Sequence, residues 1–167
     1  MTTILDNQLR RMALAAATVL AVVHAAPAQA DDVGSATRVP LLPTYRQECA
    51  ACHLAYPPGM LPAASWLRLM SNLPRHFGTD ASLDTATAND IADWLRTHAA
   101  SGRRAQRDGA APPVDRITRS AWFVREHRDV SATAWARPSV KSPSNCAACH
   151  TRADQGDFSE HQVRIPR

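Results

Sequence analysis

Apolar residues along this chain recur at helical spacing, and no run of β-branched residues supplies a strand. The clearest element has Asp84 as N-cap, Ala88, Ile91, Ala92, Leu95 and Ala99 on one face, and Ser101-Gly102 as its stop. Before it, Trp66, Leu67, Leu69, Met70 and Leu73 form a second apolar stripe. It begins at Pro62, where proline suits a first helical turn, and ends at Pro74. Thr44 to His53 reads as a shorter helix, closed by Tyr56-Pro57-Pro58-Gly59, which cannot continue it and makes a turn. Arg103 to Pro113 is polar, arginine-bearing and proline-terminated, the composition of a linker. Beyond it the pattern thins. Trp122, Phe123 and Val124 mark a short segment after Ile117, Trp135 stands apart, and a second short helix is expected around Ser144 to Thr151. The last sixteen residues look irregular and must lie over the second half or trail in solvent. The expected class is mainly α.

The amino terminus adds a targeting signal. Arg10 and Arg11 precede an apolar run from Met12 to Val23, and Ala28-Gln29-Ala30 ahead of Asp31-Asp32 has the small-x-small form of a cleavage site. The run is too short to span a bilayer as a helix, and no later segment is long and apolar enough to do so. The reading is a cleavable signal peptide over 1–30 and a periplasmic mature chain, not membrane-embedded. The mature residues divide into an N-terminal lobe over 31–102, a linker over 103–116 and a C-terminal lobe over 117–167.

Each lobe is small enough that a side-chain core alone is marginal, so a staple is expected. The cysteines name it. All four lie in two copies of Cys-Ala-Ala-Cys-His, Cys49 to His53 and Cys146 to His150. In this motif both thiols form thioethers to haem vinyl groups, and the adjacent imidazole binds one face of the iron. Two covalently bound haem c groups follow, with Cys49, Cys52, Cys146 and Cys149 as attachment points and His53 and His150 as proximal ligands. A thioredoxin-like redox site would need a βαβ pattern that is missing. A four-cysteine zinc site would need knuckles now almost a hundred residues apart to converge. Two disulfides remain an option for an exported chain.

Charge changes little. The formal +4 falls to +3 once Arg10, Arg11 and Asp6 leave with the signal, and haem propionates bring the mature molecule close to neutral. No basic stretch carries interleaved aromatics, so nucleic acid is not a partner.

The sixth position on each iron separates electron transfer from ligand chemistry. His76, His98, His127 and His161 are available, with Met60 and Met70 as soft alternatives. The order of attachment helix, loops, distal ligand and closing amphipathic helix makes the N-terminal lobe similar to class I cytochromes c, with His76 in the ligand position. Met60 lies only a few residues past His53, and Met70 fits the core stripe. In the C-terminal lobe His127 stands beside Trp122 and Phe123, with His161 as its rival. His98 falls on the face of Ile91 and Leu95, as a core or boundary histidine would.

From about Tyr45 to Arg167 the chain resembles the dihaem cytochrome c family known as DHC. The likeness runs through Glu48 to Gly59, His76-Phe77-Gly78, Arg125-Glu126-His127, Gln155-Gly156-Asp157-Phe158 and Arg164-Ile165-Pro166-Arg167. The resemblance implies bis-histidine ligation, His53 with His76 on one iron and His127 with His150 on the other. It also implies redox partners in the same compartment, including a small high-spin, oxygen-binding c-type cytochrome and a membrane b-type cytochrome as donor. The expected function is one-electron transfer by a monomeric, non-enzymatic cytochrome. The competing reading is a peroxidase or reductase with one open iron. Dihaem peroxidases are considerably larger than this mature chain.

Overall fold

The computed structural model describes residues 39–102 and 111–167, all within one unit spanning Asp32–Arg167. The expected signal peptide over 1–30 and residues 103–110 of the expected linker lie outside the described residues. Five α-helices form among those described: α1 Pro43–Cys49, α2 Ala63–Met70, α3 Thr85–His98, α4 Ala121–Glu126 and α5 Ala132–Trp135. Short 3₁₀ turns join them, and the described residues contain isolated β-bridges but no strand. The mainly α expectation holds. No described helix is long and apolar enough to cross a membrane.

Helix α3 starts where its cap predicts, with the Asp84 carboxylate accepting from the Thr87 N–H at 3.0 Å. Its Ile91 and Leu95 are fully buried, and with Tyr45, Ala55, Leu61 and Trp66 they make the first core. Helix α2 is shorter than its apolar stripe, because the chain leaves it at Ser71 and makes a separate 3₁₀ turn over Leu73–Arg75. Leu67 is exposed, since the 66/69/70 arc is the face turned to α3.

The segment from Ala55 to Leu61 lies in the middle of the described structure. Its residues are buried except Tyr56, which is half-buried. Two prolines remove N–H donors here, but the carbonyls still need partners. Aromatic side chains supply them. The Tyr45 hydroxyl donates to the Tyr56 carbonyl at 2.8 Å, Trp66 Nε1 to Pro58 at 2.7 Å, and Trp122 Nε1 to Met60 at 3.4 Å. Trp122 belongs to α4, so the later residues pack on this segment as well.

A second contact lies just before α4. Val114 and Asp115 take φ of 51° and 54° in the left-handed region, a conformation costing roughly 1–2 kcal/mol for a residue bearing Cβ. The turn aims Asp115 at Arg68, which donates from Nε at 2.9 Å and Nη2 at 2.6 Å. That hydrogen bonding holds the Asp115 carboxyl below the usual carboxylate range. Val114 itself is 65% exposed and contributes little burial. Val114→Gly removes the Cβ crowding and should raise stability by about 1 kcal/mol, net of the added freedom of the unfolded chain. A urea melt should show a higher midpoint at unchanged slope.

Candidate haem sites

The first site begins at the end of α1. Cys49 is the last residue of that helix, and the Ala50 N–H closes it on the Arg46 carbonyl at 3.0 Å. The expected helix through His53 therefore stops four residues early. The chain turns instead to carry Ala55 into the core, leaving Cys52 and His53 exposed on the turn. His53 Nδ1 donates to the Leu54 carbonyl at 2.7 Å, and its ring stacks on Tyr56 at 5.0 Å between centroids.

His76 arrives from the opposite direction, at the end of the Leu73–Arg75 turn. Phe77 at φ 50° and Gly78 at φ 99° make the reversal after it, closed by the Thr79 N–H on the His76 carbonyl. Glycine suits the second of these positions because it carries no Cβ penalty. The Phe77 edge packs on His76, and the Arg116 guanidinium lies 4.2 Å over the Phe77 ring. The rings of His53 and His76 end 6.0 Å apart, with 24° between their planes.

The second site is built from α4 and the tail. Ser120 caps α4 by accepting from the Phe123 N–H at 3.2 Å. His127 closes the helix, and its Nδ1 donates to the Phe123 carbonyl at 2.9 Å. The His127 ring lies flat on Phe123, 4.0 Å between centroids, with Trp135 at 5.9 Å.

The second motif forms a single 3₁₀ turn over Cys146–Ala148 rather than the expected helix from Ser144 to Thr151. Continuing the helix would compete with the last residues, which fold back on it. Thr151 N–H bonds to Gln162 and Arg164 N–H to Cys149, while the Arg137 guanidinium donates to the Pro166 carbonyl. The tail therefore lies over the second motif. His150 ends 6.1 Å from His127, with 69° between the rings, and Phe158 sits 5.2 Å away on the tail.

Two imidazoles binding one metal from opposite sides, each through a bond of about 2 Å, hold their ring centres about 6 Å apart. Both histidine pairs have that spacing, so the residues present fit two irons. The ring nitrogens agree. In each pair one histidine donates Nδ1–H to a backbone carbonyl, as metal-ligating histidines commonly do. The other, His76 or His150, has Nδ1 buried without a partner. Burial first, then the facing histidine, lowers the pKa of both His76 and His150; Arg116 adds to the effect at His76, while Asp157 opposes it at His150. Both are neutral at pH 7, the form that binds metal.

None of the four cysteines forms a disulfide. Burial pushes the Cys49 and Cys146 thiols up to about 11, with Glu48 adding to the effect at Cys49. The Tyr56 hydroxyl is pushed up to about 12, by burial and then by Cys146. It donates to the Ser144 carbonyl at 2.8 Å.

The other candidates fall elsewhere. His161 is exposed on the tail's last 3₁₀ turn. His98 donates Nδ1–H to the Trp94 carbonyl and packs on the Trp94 ring, a boundary role. Met60 is buried in the central segment, and Met70 packs on the first core. Trp135 and Phe158 also line the second site. Trp135 carried no periodic signal, and Phe158 was visible only within the Gln155-Gly156-Asp157-Phe158 likeness.

The sequence profile of dihaem cytochrome c matches residues 45–158. This chain belongs to the dihaem cytochrome c family. Solved structures agree. A diheme cytochrome c from Rhodobacter sphaeroides is 45% identical, with 72% of this chain and 98% of that one covered at a TM-score of 0.65. DHC purified from Rhodobacter sphaeroides matches at the same identity, over 72% and 99% of the two chains, with a TM-score of 0.61. A diheme cytochrome from Shewanella baltica is 36% identical over 77% and 95%, with a TM-score of 0.65. No curated protein matches. As a dihaem cytochrome c the chain carries two covalently attached haem c groups, with the four cysteines present for attachment, and membership points to electron transfer through them.

Proposed function

We propose that this dihaem cytochrome c is a periplasmic carrier of single electrons between redox proteins, with both irons low-spin and held by two histidines. His53 and His76 bind one iron, and His127 and His150 bind the other. The observation that carries the reading is the pair of ring separations, 6.0 Å and 6.1 Å, each between a histidine of an attachment motif and one distant in sequence.

Each haem supplies a one-electron iron couple, and histidine pairs hold its potential below that of histidine/methionine cytochromes c. The chain's own residues orient the rings. The Leu54 and Phe123 carbonyls fix His53 and His127, while Phe77 with Arg116 and Phe123 with Trp135 back the distal imidazoles. Two histidines on each iron would leave no room for a substrate there, which argues against peroxidase or reductase chemistry. Expected partners, on family likeness, are a small high-spin, oxygen-binding c-type cytochrome and a membrane b-type cytochrome as donor, met by a chain exported through residues 1–30.

Visible and near-infrared spectra of the oxidised and reduced holoprotein, with and without carbon monoxide, test the reading. Two low-spin irons unaffected by the gas are expected. A high-spin fraction that binds carbon monoxide would replace the carrier with a ligand-handling enzyme or sensor.

A further inference from the structure

The Tyr56 side chain reaches both attachment motifs. Its ring stacks on His53, 5.0 Å between centroids and 25° between planes. Its hydroxyl donates at 2.8 Å to the carbonyl of Ser144, two residues before Cys146 and 88 residues away in sequence. The backbone beneath it is held independently, since the Tyr56 carbonyl accepts from Tyr45 and the neighbouring Pro58 carbonyl accepts from Trp66. Tyr56 is therefore a rigidly mounted side chain whose two ends touch the two sites, in a segment with no role in binding either iron.

We infer that Tyr56 is a positioning residue for electron exchange between the two haem sites, holding the second attachment motif against the first. This inference rests on the proposed bis-histidine carrier. A single electron passes from the reduced site to the oxidised one, no bond forms or breaks, and Tyr56 keeps its proton. Tunnelling depends steeply on the contact between the two sites. A side chain that stacks on the ligand of one and hydrogen-bonds beside the anchor of the other fixes that contact.

The test uses the full-length holoprotein and its Tyr56→Phe and Tyr56→Leu variants. Tyr56→Phe keeps the ring on His53 and deletes the hydrogen bond; Tyr56→Leu deletes both. The readout is the exchange rate between the two half-reduced forms, followed through haem-methyl resonances, beside haem content and spin state. Tyr56→Phe should keep two low-spin haems and slow exchange measurably, because the contact that holds the second motif at 2.8 Å is lost. Tyr56→Leu should slow it further. Exchange unchanged in Tyr56→Phe, with both haems intact, would overturn the inference, and that variant decides alone should Tyr56→Leu lose a haem. Failure of the underlying carrier reading looks different, because it appears in the unsubstituted protein as a high-spin iron.

Discussion

Replacing His127 with alanine is expected to turn one iron five-coordinate and high-spin, open it to carbon monoxide, and leave the other iron low-spin. The reason lies in how His127 is held. Its ring lies on Phe123 at 4.0 Å, its Nδ1–H is committed to the Phe123 carbonyl, and it faces His150 at 6.1 Å. Alanine keeps the helix end but offers iron nothing. No other histidine is placed to substitute among the described residues, because His161 is exposed on the tail and His98 is tied to Trp94. Lost ring packing should cost about 1–3 kcal/mol of stability as well. His76→Ala should give the mirror result at the other iron, and His161→Ala should alter neither spectrum. Unchanged spectra in His127→Ala together with a high-spin iron in His161→Ala would show the second pair to be misassigned.

Haem-free protein should lose cooperative unfolding. Replacing all four motif cysteines with serine, or producing the chain without haem attachment, leaves two ring pairs facing each other across unfilled contacts. The second half has little to offset this. Its buried apolar residues are Phe123, Ala134, Val140 and Ala153, two of them alanines. The first half has Trp66, Ile91 and Leu95 locked between α2 and α3. Against a total stability of about 5–15 kcal/mol, losing the haem contacts is decisive. Calorimetry should find no sharp transition in the apoprotein. Hydrogen exchange should leave α3 the best protected element, with residues 117–167 exchanging freely. A cooperative apoprotein transition near the holoprotein's melting temperature would contradict this.

How much of this could be read from the residues differs between the halves. Asp84 with its Ala88/Ile91/Leu95 face gave α3 almost to the residue, because capping and periodicity agree there. The two attachment motifs and the four candidate iron-binding histidines were also visible, through motif spacing and family likeness. The second attachment segment forms a 3₁₀ turn in place of the expected helix, since its backbone groups are claimed by Gln162 and Arg164, contacts no local pattern announces. Tyr56 looked like part of a proline-rich turn. Its reach to Ser144 depends on two segments 88 residues apart, which neither propensity nor periodicity encodes.

The two histidine pairs differ in twist, 24° at the first and 69° at the second. Under the proposed ligation, nearly aligned rings donate π density to iron along one direction in the haem plane, whereas crossed rings spread it over two. The first iron would then have a rhombic ligand field and the second a nearly axial one. In the oxidised protein the two centres become magnetically distinct, so electron paramagnetic resonance can follow an electron's arrival at each haem in an unaltered molecule.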